Sequence, residues 1–275
     1  MVSGIRGVAT ALFATLFPAD CRLCGSPLIN ISRLPVCEEC LAAMGPISEC
    51  VCSVCGERLA QGQNFYDQGE TRCGLCQRAE PIFAKATAYG SYEGGLRELI
   101  HLLKYEHVRP AAGVLGRMLA DAIADLDGLY ADDVIVVPVP LHRSKFRQRG
   151  FNQAEEIAGK ALKRLDSPSF KLAANVLERR RETQSQIGLS RRQRRENMRG
   201  AFAVARPELI RDREVLVVDD VFTTGTTVSE CARVLRRAGA SKVFVATVAR
   251  TLKAEAKFEA LPIEGEPEAA MAAAG

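Results

Sequence analysis

Residues 215 to 227 read Val215-Leu216-Val217-Val218-Asp219-Asp220-Val221-Phe222-Thr223-Thr224-Gly225-Thr226-Thr227 and are the most informative stretch of the chain. The four leading apolar residues predict a buried strand, and the hydroxyl- and glycine-rich end predicts a loop that runs into a helix. A helix N-terminus offers unpaired backbone N–H groups and a positive dipole end, and small side chains let a phosphate come close. The two aspartates are suited to accept hydrogen bonds from ribose hydroxyls or to face Mg²⁺. The stretch therefore predicts a sugar-phosphate site at the end of a strand.

A second interpretation of the same residues is a strand–turn–helix whose polar side chains only cap the helix. The chain contains neither the Gly-Lys-Ser/Thr of a Walker A loop nor a G-x-G-x-x-G sequence, which excludes those two phosphate-binding motifs. The order of apolar strand, Asp-Asp and Thr-Thr-Gly-Thr-Thr resembles the phosphoribosyl-pyrophosphate (PRPP) motif of type I phosphoribosyltransferases.

Apolar periodicity predicts alternating strands and helices from residue 81 onward. Strands are expected over 84–92, 134–139, 215–218 and 242–249, and helices over 94–105, from 110, over 152–165 and over 227–238. This alternation predicts an α/β fold with a doubly wound, mainly parallel sheet. Cys231 shares the apolar side of its helix with Val228 and Leu235, so we expect it in the core.

The cysteines indicate metal sites. Ten are present, nine of them before residue 77, and eight form four C-x-x-C pairs. There are 12 residues between Cys24 and Cys37 and 17 between Cys55 and Cys73, spacings typical of ribbon knuckles that close on tetrahedral Zn²⁺. Interleaved pairing of the knuckles, disulfides and free thiols are alternatives, and Cys50 is expected to be a spare thiol. The simplest pairing makes two structural zinc sites, Cys21, Cys24, Cys37 and Cys40 for one and Cys52, Cys55, Cys73 and Cys76 for the other.

Composition indicates a globular protein with one strongly basic segment. Of the 275 residues, 47% are hydrophobic and 25% charged, and the formal net charge is +4. Eight arginines and two glutamates lie between residues 179 and 199, so this segment carries +6 and the rest of the chain is slightly acidic. A local basic segment fits a loop that meets polyphosphate better than a surface built for nucleic acid.

The chain divides into four expected segments. We expect an apolar N-terminal helix over residues 1–19, a double zinc ribbon over 20–80, the α/β domain over 81–252, and a disordered tail over 253–275. The apolar run within the first segment has about 11 residues, whereas a bilayer span needs about 20. Because a cleavage site typical of signal peptides is also lacking, we expect a cytoplasmic protein without a membrane span.

A basic segment follows the strand expected over 134–139. It contains four cations between residues 143 and 149, then Gly150, and Asn152 is placed to cap the next helix. We expect a loop that holds pyrophosphate with arginine forks and backbone donors, with a merely solvated basic loop as the alternative. His142 is suited to be an acid or base, but a lone histidine in such a segment is more often incidental.

The segment from Arg179 to Phe202 is too polar for a core, and its like charges repel one another. We expect a mobile flap that becomes ordered over a polyanion. A surface helix that binds nucleic acid is the alternative.

Several motifs in order are similar to those of the ComF family. They are the four C-x-x-C pairs, Pro-Val-Pro-Leu-His at 138–142, Arg-Gly-Phe-Asn-Gln at 149–153, the arginine-rich segment and the Asp-Asp-Val-Phe-Thr-Thr-Gly-Thr-Thr stretch. The resemblance covers about residues 18–250. This family joins an N-terminal double zinc ribbon to a domain of the type I phosphoribosyltransferase kind, and members are linked to DNA uptake in natural transformation.

The resemblance also implies roles for individual residues. Asp219 and Asp220 would meet the ribose hydroxyls of PRPP, which binds with Mg²⁺. The 5′-phosphate would be bound by Thr223, Thr224, Gly225, Thr226 and Thr227, and the pyrophosphate by Arg143, Lys145, Arg147, Arg149 and Gly150. The flexible loop would contain Arg179, Arg181, Thr183, Gln186, Arg194 and Asn197, with Arg179 and Arg181 as catalytic candidates beside the aspartates. The family often has proline after the second arginine and near Gln186, whereas this chain has Glu182, Gln184 and Ser185, which leaves the stiffness of the loop and its contacts with the acceptor open.

The implied activity is transfer of phosphoribosyl from PRPP to an unidentified nitrogen acceptor, with release of pyrophosphate. The first alternative is a non-catalytic PRPP- or nucleotide-sensing adaptor that binds single-stranded DNA or DNA-uptake proteins. The second is a protein-interaction scaffold with a vestigial site. The intact aspartate pair argues against this scaffold, because a decayed site has no need of two adjacent carboxylates.

Overall fold

The structure of the protein is a computed structural model, and it describes residues 19–28, 33–48, 50–59, 66–67, 70–183 and 190–252. The helix expected over residues 1–19, apart from its last residue, and the tail expected over 253–275 lie outside these ranges.

A five-stranded, wholly parallel sheet forms the centre of the α/β part. The strands are β3 (Lys85–Ser91), β4 (Val134–Pro138), β5 (Phe170–Leu172), β8 (Glu214–Phe222) and β9 (Lys242–Arg250). Their order in the sheet is β3-β9-β8-β4-β5. Four of these strands lie where apolar periodicity predicts them, and β8 occupies the middle of the sheet. The predicted mainly parallel α/β fold is confirmed.

Shorter strands pair in two antiparallel ribbons outside this sheet. β1 (Tyr66–Asp67) pairs with β2 (Glu70–Thr71), and β6 (Leu177–Arg179) pairs with β7 (Phe202–Val204). The second ribbon brackets the arginine-rich segment, so the two ends of that segment are hydrogen-bonded to each other.

The described helices are α1 (Glu38–Ala42), α2 (Gly74–Arg78), α3 (Gly94–Tyr105), α4 (Ala111–Ala124), α5 (Arg143–Arg149), α6 (Gln153–Leu165), α7 (Arg191–Met198) and α8 (Thr226–Arg237), with a 3-10 turn at Pro207–Leu209. α3, α4, α6 and α8 correspond to the predicted helices. In α6 the predicted cap is present, because the Asn152 side chain accepts a hydrogen bond of 3.1 Å from the Ala154 N–H.

Helices cover both faces of the sheet, because successive side chains of a strand point to opposite sides. Leu216 and Val218 pack in the core that contains α3, α4 and α6. Val215 and Val217 pack in the opposite core, where Cys231 of α8 is fully buried as predicted. The sheet is therefore doubly wound.

The cysteine-rich part packs on the sheet at two places. Its first half shares the α3 and α4 core, where Cys21 and Met44 are buried. Its second half shares the α8 core, where Cys52 and Val54 are buried, and the Ala86 N–H of β3 donates to the Val54 carbonyl at 2.8 Å. Within the ranges that the structure describes, none of the helices has both the length and the apolarity to cross a membrane.

Close packing of α4 against α6 depends on Gly116. A Cβ added there would lie 2.4 Å from the Lys160 Cβ and 3.1 Å from the Ala161 backbone nitrogen. We predict that Gly116→Ala lowers the free energy of unfolding by about 1–3 kcal/mol, since overpacking forces the helices apart. Thermal unfolding followed by circular dichroism measures the effect.

Gly113, on the same helix, has open space at its Cβ position and is the matched control. Gly113→Ala is expected to raise stability by about 0.5–1 kcal/mol, because alanine is the better helix former. Equal effects of the two substitutions would contradict the packing explanation.

Candidate functional site

Two adjacent carboxylates stand near the carboxyl end of β8, where ligands bind in open parallel sheets. Asp220 is buried, and it forms an ion pair with Lys104, which lies in the last turn of α3. The backbone N–H of Asp220 donates a 2.9 Å hydrogen bond to Oδ1 of Asp219. Lys104 of α3, which is not part of the motif at residues 215–227, thus holds the pair from one side.

The two carboxyl groups have opposite pKa shifts. Burial raises the pKa of Asp219 well above its usual range, and the neighbouring charge of Asp220 adds to the rise. Burial alone would also raise the pKa of Asp220, but the Lys104 ammonium and its hydrogen bond lower it instead. Asp220 is therefore the carboxylate that stays ionised, whereas Asp219 holds its proton to higher pH.

The basic segment after β4 is a helix, so the expectation of a loop there is wrong. α5 begins after His142, whose side chain accepts from the Ser144 N–H, and it ends at Gly150, whose φ is 77°. The His142 side chain caps the N-terminus of the helix, and the left-handed Gly150 ends it. In the sequence, the many charged residues between them made a helix hard to recognise.

Helix geometry sorts the four cations of α5 into two rows. Lys145 and Arg149 are four residues apart and share one face, while Arg143 and Arg147 share another. Burial lowers the pKa of Lys145, and so do the charges of Arg179 and Arg149. The charge of Arg149 also reaches Asp220, whose pKa it lowers. The Lys145 and Arg149 row therefore lies toward the acidic pair.

Arg179 approaches the acidic pair from the end of β6. Its guanidinium donates to Oγ1 of Thr183 and lies 5.5 Å from the centroid of the Phe202 ring. Burial lowers the pKa of Arg179, and the Asp219 charge opposes that shift. Arg179 is thus a partly buried cation that interacts electrostatically with Asp219, and an anionic ligand would compensate its positive charge.

The segment Thr223–Thr227, for which the sequence predicts phosphate binding and which we call the phosphate loop, runs from the end of β8 into the first turn of α8. Gly225 precedes the helix with φ 74°, and a Cβ added there would lie 2.6 Å from Cζ of Phe222. The Thr224 and Thr226 hydroxyl oxygens are 2.9 Å apart. Glycine is therefore required at this position, and the loop presents hydroxyl groups at the N-terminus of a twelve-residue helix.

The remaining predicted residues lie on the arginine-rich segment. Arg181 donates to the carbonyls of Asn197 at 2.6 Å and Arg199 at 3.0 Å, and so ties β6 to the end of α7. Arg194 and Asn197 belong to α7 itself, and Gln186 lies outside the described residues. Glu182 accepts a 2.7 Å hydrogen bond from the Ser144 hydroxyl, which joins the segment to α5.

Electrostatic interactions thus link Lys145, Arg149 and Arg179 with one another and with the pair Asp219 and Asp220, all from the predicted set. Sequence reasoning missed Lys104, because a lysine in the last turn of an amphipathic helix is ordinary. The signal available was only its position in the last turn of the helix that follows β3.

Two cysteine tetrads have the geometry of zinc sites. Cys21, Cys24, Cys37 and Cys40 form one, and Cys52, Cys55, Cys73 and Cys76 the other, with the sulfur atoms of each set within 4.8 Å of one another. The Cys24–Cys37 and Cys55–Cys73 sulfur distances are both 3.7 Å. A tetrahedral site with Zn–S bonds of about 2.3 Å places its sulfurs about 3.8 Å apart, so the residues fit zinc.

The simplest pairing of the knuckles is therefore confirmed, and the interleaved alternative is wrong. None of the described cysteines forms a disulfide, so the disulfide alternative is wrong. Cys50 is exposed and lies outside both tetrads.

Comparison with known proteins agrees with this two-part architecture. A family model described as "Double zinc ribbon domain" matches residues 12–79, and one described as "Phosphoribosyl transferase domain" matches residues 152–268. "Competence protein F" of Haemophilus influenzae is 31% identical over 81% of this chain and 93% of its own length. "DNA utilization protein YhgH" of Escherichia coli K12 is 31% identical over 86% of this chain and 98% of its own.

Solved structures give weaker matches. An enzyme described as "Structure of the allosteric regulatory enzyme of purine biosynthesis" shares 24% identity over 51% of this chain and 26% of its own, with a TM-score of 0.32. A superposition this weak carries no argument.

The fold, the tetrads and the family models define a double zinc ribbon joined to a phosphoribosyltransferase domain. Because Competence protein F is similar over nearly its whole length, the chain belongs to the ComF family, as the sequence motifs indicate.

We predict opposite stability effects at the two aspartates. The folded-state pKa of Asp219 is raised, so ionisation of this group destabilises the fold as pH rises from about 4 through the folded pKa. Asp219→Asn is therefore expected to raise Tm at pH 8 by about 2–4 °C, and the gain should vanish near pH 4. Thermal unfolding between pH 4 and pH 8 measures this dependence.

The matched control is Asp220→Asn, which leaves Lys104 buried without its charge partner. It should lower stability at pH 8 by about 3–5 kcal/mol. A loss of stability at pH 8 in Asp219→Asn would contradict the assignment.

For the tetrads we predict two bound zinc ions per chain. Cys24→Ser combined with Cys37→Ser should lose one ion, because a tetrad without two thiolates binds zinc weakly. Elemental analysis of the purified protein counts the metal. Cys50→Ser is the control and should retain both ions, whereas a wild-type content below two would refute the paired assignment.

Proposed function

We propose that the protein binds PRPP with Mg²⁺ and transfers its phosphoribosyl group to a nitrogen acceptor, releasing pyrophosphate. The observation that carries this proposal is the convergence of three cationic side chains, Lys145, Arg149 and Arg179, on an acidic pair beside a helix N-terminus. Cations so close repel one another, and a polyphosphate would remove that repulsion. A sugar with phosphates at both ends fits this site, because its hydroxyls would bind the acidic pair and its phosphates would lie near the basic side chains on either side.

Each part of the site has a proposed role. Asp219 and Asp220 would accept hydrogen bonds from the ribose hydroxyls, and Thr223, Thr224, Gly225, Thr226 and Thr227 would bind the 5′-phosphate. Because Asp220 is paired with Lys104, Asp219 is the carboxyl group that we assign to the Mg²⁺ side, where the nearby cation would favour its ionised form. Carboxylate oxygens are the ligands that Mg²⁺ takes in proteins. When bound, Mg²⁺ would neutralise charge on the pyrophosphate oxygens.

The cations would act on the leaving group. Lys145 and Arg149, together with Gly150 at the C-terminal end of α5, would bind pyrophosphate at the start of the reaction, and Arg143 and Arg147 on the other row of the helix would add to the positive field around it. Arg179 would follow the negative charge that grows as the bond between the anomeric carbon and pyrophosphate breaks. The ribose carbon then resembles an oxocarbenium ion until the acceptor nitrogen bonds to it, as in other glycosyl displacements.

The arginine-rich segment would cover the substrate. Glu182 already joins it to α5 through the Ser144 hydroxyl, and Arg181 fixes its two ends together. We propose that Thr183, Gln186, Arg194 and Asn197 belong to this cover, which would exclude water that competes with the acceptor.

We also propose the wider organisation of the chain. Residues 1–19 would form an apolar helix, 20–80 the double ribbon, 81–252 the catalytic domain, and 253–275 a disordered tail, in a cytoplasmic protein.

The proposed activity is tested by pyrophosphate release from PRPP with Mg²⁺ and a panel of bases and amines. Release in the presence of one acceptor should fall at least about 100-fold in Asp219→Asn/Asp220→Asn, because the ribose contacts and the charge balance are lost together. Asp125→Asn, an exposed change at the end of α4, is the control and should keep wild-type rates. Release that persists in the double variant would exclude this site.

The second candidate function is a non-catalytic adaptor that binds single-stranded DNA. Two observations favour it: the names of the relatives refer to competence and DNA utilization, and α7 exposes basic side chains such as Arg192, which is 90% exposed. The adaptor hypothesis expects salt-sensitive binding of a labelled oligonucleotide that survives the double aspartate change, without pyrophosphate release. Binding abolished by that change would count against it.

A further inference from the structure

Arg250, the last residue of β9, is a buried charge between the second cysteine tetrad and the phosphate loop. Only 3% of the residue is exposed. Its Nη2 lies 3.3 Å from Oε2 of Glu57 and donates toward Sγ of Cys55 at 3.9 Å. Burying a guanidinium costs several kcal/mol unless partners compensate it, and here the zinc ribbon supplies the partners of Nη2, while Nε and Nη1 have no hydrogen-bond partner among the described residues.

The other side of the same guanidinium faces the sheet. Its Cζ lies 4.2 Å from the centroid of the Phe222 ring, a cation–π contact, and Phe83 packs edge-on against that ring at 6.2 Å. Phe222 is the last residue of β8, immediately before the phosphate loop. Arg250 is therefore one of the groups that fix the position of this ring.

The Phe222 ring in turn fixes the loop. The ring lies so close beneath Gly225 that an added Cβ would be 2.6 Å from Cζ and 2.9 Å from Cε1. A displacement of the ring by a fraction of an ångström would leave a gap or push Gly225, and with it the first N–H groups of α8. A continuous chain of contacts thus runs from Cys55 through Arg250 and Phe222 to Gly225.

We propose that Arg250 is a positioning residue that couples zinc binding at the second tetrad to PRPP binding at the phosphate loop. With zinc bound, the Cys55 sulfur is a fixed partner of the guanidinium. Without zinc, the knuckle around Cys55 loses its constraint, and Arg250 loses the surface that orients it against Phe222. The inference rests on the proposed function, in that PRPP is the ligand of the loop.

The first tetrad has different surroundings from the second. It packs in the opposite core, with α3 and α4, and the nearby Arg22 makes an exposed pair with Glu106 at 3.6 Å. Only one of the two zinc sites is therefore expected to respond to PRPP.

Coupling between two sites is reciprocal, so the test measures both directions. Zinc release from the full-length protein to a coloured chelator is followed with and without saturating PRPP and Mg²⁺. We expect PRPP to slow the release of one zinc by at least about fivefold and to leave the other unchanged. PRPP affinity is measured separately by calorimetry.

The informative variant is Arg250→Met/Glu57→Gln, which removes the buried charges as a pair so that neither is left alone. We expect it to fold, to retain two zinc ions, to bind PRPP at least about fivefold more weakly, and to lose the protection of zinc by PRPP. Arg22→Met is the matched control and should behave like wild type. Circular dichroism and zinc content establish that the variants are folded.

Three results would overturn the coupling. Because the coupling is reciprocal, unchanged PRPP affinity in the double variant, or no protection of zinc by PRPP in the wild type, would each reject the coupling alone. A wild-type protein that does not bind PRPP would reject the proposed function and the coupling with it.

Discussion

Two adjacent carboxyl groups at the end of a buried strand lower the stability of the fold, and contacts with the surrounding residues reduce this cost in free energy. Asp220 stays ionised because Lys104 reaches it from α3, whereas Asp219 is driven toward the protonated form by burial and by its neighbour. The charges of Arg149 and Arg179 lower the pKa of Lys145, so the α5 and β6 cations repel one another. Stability alone does not explain this arrangement, since an apolar pair would be less costly. A ligand with phosphates and hydroxyls would satisfy both sets of charges.

The fold brings these charged side chains, which come from distant parts of the chain, together at one edge of the sheet. β8 supplies the acids, α3 and α5 supply cations from the chain before it, and the β6–β7 ribbon positions Arg179. The zinc ribbons pack against the same domain. The first half of the cysteine-rich part joins one of the two hydrophobic cores, and the second half joins the other. Because the ribbons pack directly on the sheet, a charged residue of the sheet such as Arg250 can contact side chains of a ribbon.

Much of this was predictable from the sequence, and the exceptions have physical reasons. Continuous apolar runs identified β4, β8 and β9, because central parallel strands are buried on both faces. The C-x-x-C spacing identified both tetrads. The segment after β4 was predicted as a loop because its charges hide a helix that is defined by a His142 cap and Gly150. Lys104 and Arg250 were not foreseen, since their roles come from contacts with residues far away in sequence, Asp220 and Glu57.

The role of the acidic pair in binding PRPP is tested most directly by calorimetric titration of PRPP into the wild-type protein and into Asp219→Asn/Asp220→Asn, each with and without Mg²⁺. We expect saturable binding of one PRPP per chain that strengthens with Mg²⁺ in the wild type, and at least about tenfold weaker binding in the variant. Equal affinity in the two proteins, or no binding to the wild type at millimolar PRPP, would contradict it.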